Sequence, residues 1–127
     1  MIRVAIADHD PEMRVALRLL LSLSKDIEIV CETSDGQEAV DCVKSLQPDV
    51  LVMDIRMPVL NGFEATKQIT HLSVPTRVIL MSTYRGMIIA GEAAVVGARG
   101  FVPKDALVES LITAIELVHR GEPFFVE

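Results

Sequence analysis

Residues Asp49 to Ala65 read DVLVMDIRMPVLNGFEA, and this stretch decides the fold. Val50, Leu51, Val52 and Met53 are apolar without interruption, and the run stops at an acid, Asp54. A strand with one wet face alternates polar and apolar residues. A strand with no polar position is covered on both faces, which points to a parallel sheet sandwiched between helices. Pro58 to Gly62 then carries loop chemistry, and Phe63 to His71 is expected to be a helix.

Outward from this stretch the same unit repeats. Ile2 to Ala7 is rich in Val and Ile and ends at Asp8. Glu12 to Leu23 has apolar residues at 13, 16, 17, 20 and 21, which is helical spacing, with Pro11 suited to the helix start and Asp10 to its cap. Ile27 to Cys31 is strand-like, Ser34-Asp35-Gly36 is a turn, and Gln37 to Leu46 is a helix ended by Pro48. Arg77 to Met81 is a strand ending at Ser82-Thr83, and Gly86 to Val96 is a helix of small and aliphatic residues. Phe101-Val102 forms a last strand. Lys104-Asp105 opens a final helix, Ala106 to Arg120, closed by Gly121 and Pro123. The sum is five strand–helix pairs: an α/β, doubly wound, five-stranded parallel sheet with five helices.

Composition narrows the function. The chain has 127 residues, enough for one domain, and half of them are apolar. Aromatics make up only 4%, so the core is aliphatic. A net charge of -6 argues against nucleic-acid binding by these residues, which needs a basic footprint. Cys31 and Cys42 fit no metal or CxxC spacing and read as structural thiols. No apolar run approaches the roughly 20 residues of a membrane span, and the N-terminus is no signal peptide, so a cytoplasmic location is expected.

In a doubly wound sheet, ligands bind past the carboxyl ends of the strands. Those ends carry Asp8-His9-Asp10, Asp54, Ser82-Thr83 and Pro103-Lys104. Crowded carboxylates repel one another, and a divalent cation relieves the repulsion; oxygen ligands suit Mg²⁺. A carboxylate beside such a cation, a hydroxyl and an ammonium can act as nucleophile toward a phosphoryl group. Taken singly, Asp8 and Asp10 read equally well as helix caps, Ser82 as a cap of the next helix, and Lys104 as a solvated charge. Four strand ends delivering complementary groups to one edge favour the phosphoryl-transfer reading.

The segments ADHDPEMR, DVLVMDIRMPVLNGFEA, VILMSTY and GARGFVPKDA resemble a response-regulator receiver domain across residues 2 to 122. The first segment, Lys104-Asp105-Ala106 and the GEP near the end look most like the NarL/FixJ (LuxR-type) branch. The resemblance implies a flavodoxin-like (CheY-like) receiver over residues 1 to 122. Residues 123 to 127 would then be the start of a linker or a C-terminal tail, with no DNA-binding domain in the chain. It implies that Asp54 is the phosphoacceptor, Ser82 the switch hydroxyl, Lys104 the phosphate-binding lysine, and Phe101 an aromatic that flips inward when Ser82 moves. Asp8, Asp54 and the backbone carbonyl of Arg56 would hold Mg²⁺. Arg56 and Tyr84 would tune dephosphorylation, and their size predicts slow hydrolysis.

One departure stands out. The branch usually reads Asp-Asp-His-Pro where this chain reads Asp8-His9-Asp10-Pro11, so His9 occupies the second acid's place. Either Asp10 serves in its stead, or His9 favours a softer ion such as Mn²⁺ or Zn²⁺, or phosphorylation is lost. The implied function is a two-component switch, not an enzyme beyond self-phosphorylation from small donors and autodephosphorylation. A sensor histidine kinase would phosphorylate Asp54, and a homodimer or domain release would control an output, transcription. DNA would be reached only through a helix-turn-helix domain outside this chain. The alternative is a pseudo-receiver, a phosphorylation-independent interaction module. A third reading takes Asp8-x-Asp10 as the nucleophile motif of haloacid-dehalogenase-type phosphatases; the chain's shortness and missing later acidic pair argue against it.

Overall fold

The computed structural model describes all residues, Met1–Glu127. The strands are β1 (Ile2–Ala7), β2 (Ile27–Thr33), β3 (Val50–Asp54), β4 (Arg77–Ser82), β5 (Gly100–Pro103) and β6 (Phe124–Phe125). The helices are α1 (Pro11–Leu21), α2 (Gly36–Leu46), α3 (Gly62–Thr70), α4 (Met87–Val95) and α5 (Leu107–His119), the last preceded by one 3-10 turn at Lys104–Ala106. All strand pairs are parallel, in the order β2-β1-β3-β4-β5-β6. The doubly wound sheet with five helices is therefore as read from the sequence, with one short strand added.

That strand lies in the segment read as linker or tail. Phe124 pairs with Gly100 and Phe125 with Phe101, so the tail closes the open edge of β5. Two residues are too few to show a period. Burial of Phe124 and Phe125, both half-covered, draws them onto the sheet edge.

The pleat divides the core in two. Ala5, Ala7, Leu51, Met53, Leu80 and Phe101 face the side carrying α2, α3 and α4. Val4, Ile6, Val50, Val52, Ile79, Met81 and Val102 face α1 and α5. Every residue of β3 is buried, as its unbroken apolar run requires.

Three helix starts are fixed by side chains. Asp10 accepts from the Glu12 amide, Asp35 from the Glu38 amide and Asn61 from the Glu64 amide. Each such cap is worth about 1 kcal/mol. Helix α4 has none: its cap is Gly86, at φ +124°, in the region that only glycine enters freely. The loop after β3 is wedged instead. A Cβ at Gly36 would fall on the carbonyl of Leu60, and one at Gly62 would lie 2.5 Å from the carbonyl oxygen of Asp54.

Candidate functional site

The strand order reverses between β1 and β3: the chain leaves β1 to lay β2 on one side, then returns to lay β3 on the other. Such a reversal opens a crevice at the carboxyl ends. Ala7 pairs with Met53, so Asp8 and Asp54 leave the sheet side by side. Both are buried. Lys104, the first residue after β5, reaches across the end of β4. Its Nζ lies 2.8 Å from Asp8 Oδ2 and 3.3 Å from Asp54 Oδ2.

Two buried acids against one ammonium leave a negative excess. Burial pushes the pKa of Asp54 up, the Lys104 charge pulls it back, and the Asp8 charge raises it again; the net shift is upward. Burial alone would lower Lys104, but its hydrogen bond to Asp8 and the charges of Asp54 and Asp8 outweigh that and raise its pKa. Further donors serve the acids. The Asp10 amide donates to Asp8 Oδ1 at 2.9 Å, and the Arg56 amide to Asp54 Oδ1 at 3.4 Å.

His9 is the half-exposed member. Its Nδ1 stands 3.5 Å from Asp54 Oδ2 and 3.8 Å from Asp8 Oδ1. One ligand atom from each of Asp8, His9 and Asp54 falls within a 4.8 Å cluster. This donor set fits a divalent cation: two carboxylates supply the charge and the imidazole a nitrogen. Imidazole suits first-row transition ions better than Mg²⁺, which prefers oxygen. Asp10, the other candidate for the second ligand, is not in the cluster. Its exposed carboxylate is engaged with the Glu12 amide, 3.0 Å away, as the cap of α1.

Ser82 is buried at the end of β4, and its Oγ accepts the Tyr84 amide at 3.0 Å. Arg56 is exposed and lines the crevice; Tyr84 is exposed two residues beyond Ser82 and is not part of the lining. Phe101, expected to turn inward on switching, is fully buried in this structure. It sits on the inward pleat of β5, and Phe125 packs against the same core from the added strand. The sequence reading missed Arg14, whose guanidinium donates to the Asp8 carbonyl at 2.6 Å and steadies the end of β1. Its placement one helical turn beyond Asp10 was the available signal. The crevice, about 720 Å³ and open to solvent, is lined by His9, Asp54, Arg56, Met57, Thr83 and Lys104 among others.

No helix is long and apolar enough to cross a membrane. The family model described as response regulator receiver domain matches residues 4–116. The transcriptional regulatory protein LnrK of Bacillus subtilis is 36% identical over 121 residues, covering 95% of this chain and 55% of the relative. The chain thus spans about half the length of several of the curated relatives it matches. The receiver domain of the response regulator NarL from Mycobacterium tuberculosis superposes with a TM-score of 0.90 at 32% identity, covering 95% of this chain and 98% of that one. The response regulator domain of Thermotoga maritima CheB gives 0.88 at 36% identity, covering 97% and 99%. With the reversed strand order, the paired acids and the lysine spanning them, these likenesses agree: the chain belongs to the response regulator receiver family, as a receiver domain of two-component response regulators.

Proposed function

We propose that Asp54 is the phosphoacceptor of a two-component switch driven by a sensor histidine kinase. The observation that carries this is the buried Asp54 carboxylate, set between Lys104 at 3.3 Å and the open crevice. A carboxylate oxygen of Asp54 attacks the phosphorus of a phosphohistidine or an acyl phosphate. The P–N or P–O bond breaks, and the leaving group departs with its electron pair. Lys104 moves onto the phosphoryl oxygens and offsets their charge. Ser82 Oγ gives up the Tyr84 amide and turns to donate to a phosphoryl oxygen.

Asp8, Asp54, His9 and the main-chain carbonyl of Arg56 are the groups that would hold a divalent cation, which when bound supplies further charge neutralisation. His9 shifts the preference of the site from Mg²⁺ toward Mn²⁺. Arg56 and Tyr84 hinder water at the acyl phosphate and slow hydrolysis. Beyond self-phosphorylation and autodephosphorylation the domain catalyses nothing. Residues 1–122 form the switch, and residues 123–127 lead toward an output. The transcriptional relatives support a transcriptional output through a separate DNA-binding domain; dimerisation on activation is part of the same proposal.

Intact-mass analysis after incubation with acetyl phosphate tests the proposal. One phosphoryl adduct that needs a divalent ion and is absent from Asp54→Asn is expected. Adduct surviving in Asp54→Asn would move the acceptor to Asp8 or Asp10. No adduct with any metal, from folded protein, would replace the switch by the phosphorylation-independent module.

A further inference from the structure

The tail strand is held by a clamp built from neighbours of the two phosphoryl-sensing groups. Phe124 donates its amide to the Arg99 carbonyl at 3.1 Å, and Val126 its amide to the Phe101 carbonyl at 2.8 Å. Phe125 packs on the core containing Phe101, and Phe124 and Val126 pack on the opposite core. Beyond the strand, the main-chain oxygen of Glu127 accepts from Arg85, at 2.9 Å from Nη2 and 3.3 Å from Nε. The Nη1 of the same guanidinium lies 3.0 Å from both Asp105 oxygens.

Both ends of this clamp touch the crevice through the chain. Arg85 follows Tyr84, whose amide is pinned to Ser82 Oγ. Asp105 follows Lys104, whose ammonium bridges Asp8 and Asp54. Gly86, directly after Arg85, has φ +124° and open space where a side chain would stand, so the loop can swing about it. The ion pair is half exposed on each side. Exposed pairs hold weakly, and a small displacement suffices to break this one.

We propose that residues 122–127 are a strap over the β5 edge, which phosphorylation of Asp54 unlatches. When Ser82 turns to the phosphoryl group it frees the Tyr84 amide, and the 83–86 loop shifts. When Lys104 moves onto the phosphoryl oxygens, Asp105 shifts with it. Arg85 then cannot keep both Asp105 and Glu127, and the strand peels from β5. The main-chain edge at Gly100 and Phe101 becomes available, and the segment beyond the strap is released. The inference rests on Asp54 being the acceptor.

Hydrogen exchange read by mass spectrometry, with and without acetyl phosphate, tests the strap. Intact mass is recorded on the same samples. The peptide covering Phe124–Val126 is expected to exchange about tenfold faster on phosphorylation, with β1 and β3 unchanged. Arg85→Ala is expected to give the same acceleration without phosphorylation. Unchanged protection of that peptide in protein whose mass shows the adduct overturns the strap and leaves the acceptor reading intact. If no adduct forms, the acceptor reading fails. Arg85→Ala then decides alone, and slow exchange in that variant overturns the clamp.

Discussion

Replacing His9 with aspartate restores the second acid usual in the branch and has a calculable effect. The Oδ1 of aspartate and the Nδ1 of histidine are the same number of bonds from Cα. The new oxygen therefore stands where Nδ1 stands, 3.5 Å from Asp54 Oδ2 and 3.8 Å from Asp8 Oδ1. Each contact between like charges costs about 1 kcal/mol in water and about 4 kcal/mol at an effective dielectric near 20. The side chain at position 9 is half exposed, so the lower figure applies and the metal-free protein loses about 2 kcal/mol. A divalent cation cancels both repulsions, so the same amount returns as metal affinity, about thirtyfold. In chelator, His9→Asp should melt about 8 °C below the native protein. In a Mg²⁺ titration followed by melting temperature and by calorimetry, it should bind about thirtyfold more tightly. His9→Asn, which adds no charge, should show neither effect. Equal Mg²⁺ affinity in native and His9→Asp protein would refute the reasoning and mean that Asp10 already serves the metal.

Other expectations follow from the same geometry. Lys104→Ala leaves Asp8 and Asp54 facing each other without a cation and should cost about 3–5 kcal/mol in a denaturant titration at pH 7; adding Asp54→Asn should recover part of it. Lys104 has a raised pKa in the fold, so its stabilisation is complete below the ordinary lysine range and is lost as pH rises through the folded value. Alkaline unfolding scans should show that loss in native protein and not in Lys104→Ala. Phe101→Ala removes a fully buried ring and should cost about 3–5 kcal/mol by denaturant unfolding. Gly36→Ala drives a methyl onto the Leu60 carbonyl and should lower stability by about 1–3 kcal/mol, measured the same way.

The sheet and the crevice were legible because each signal was local and redundant. The unbroken run Val50–Met53 demanded burial on both faces, and Asp54 marked its end. Pro11 and Asp10 fixed the start of α1 within one residue of the reading. The convergence of Asp8, Asp54 and Lys104 followed from parallel topology alone. What stayed hidden depended on contacts distant in sequence. Phe124–Phe125 has no pattern of its own and becomes a strand only because β5 offers a free edge. The second ligand place was undecidable from types, since Asp10 could cap or coordinate; in the structure its carboxylate accepts from the Glu12 amide, a contact that residue types alone do not show. Arg14 looked like any exposed helix cation, and only its reach to the Asp8 carbonyl gives it a role.

The glycines around the crevice make its two walls mechanically unequal. On the β3 side, Gly36 and Gly62 bring backbone against backbone, and the Gly62 amide holds the Ile55 carbonyl at 2.7 Å. That jaw has no slack: any displacement there meets main chain. On the β4 side, Gly86 borders empty space and α4 has no side-chain cap. With Asp54 as the proposed phosphoacceptor, a push delivered there would meet an anvil on one side and a lever on the other, and the work would go to the lever. On that proposal, the direction of signalling is built into where the fold omits side chains.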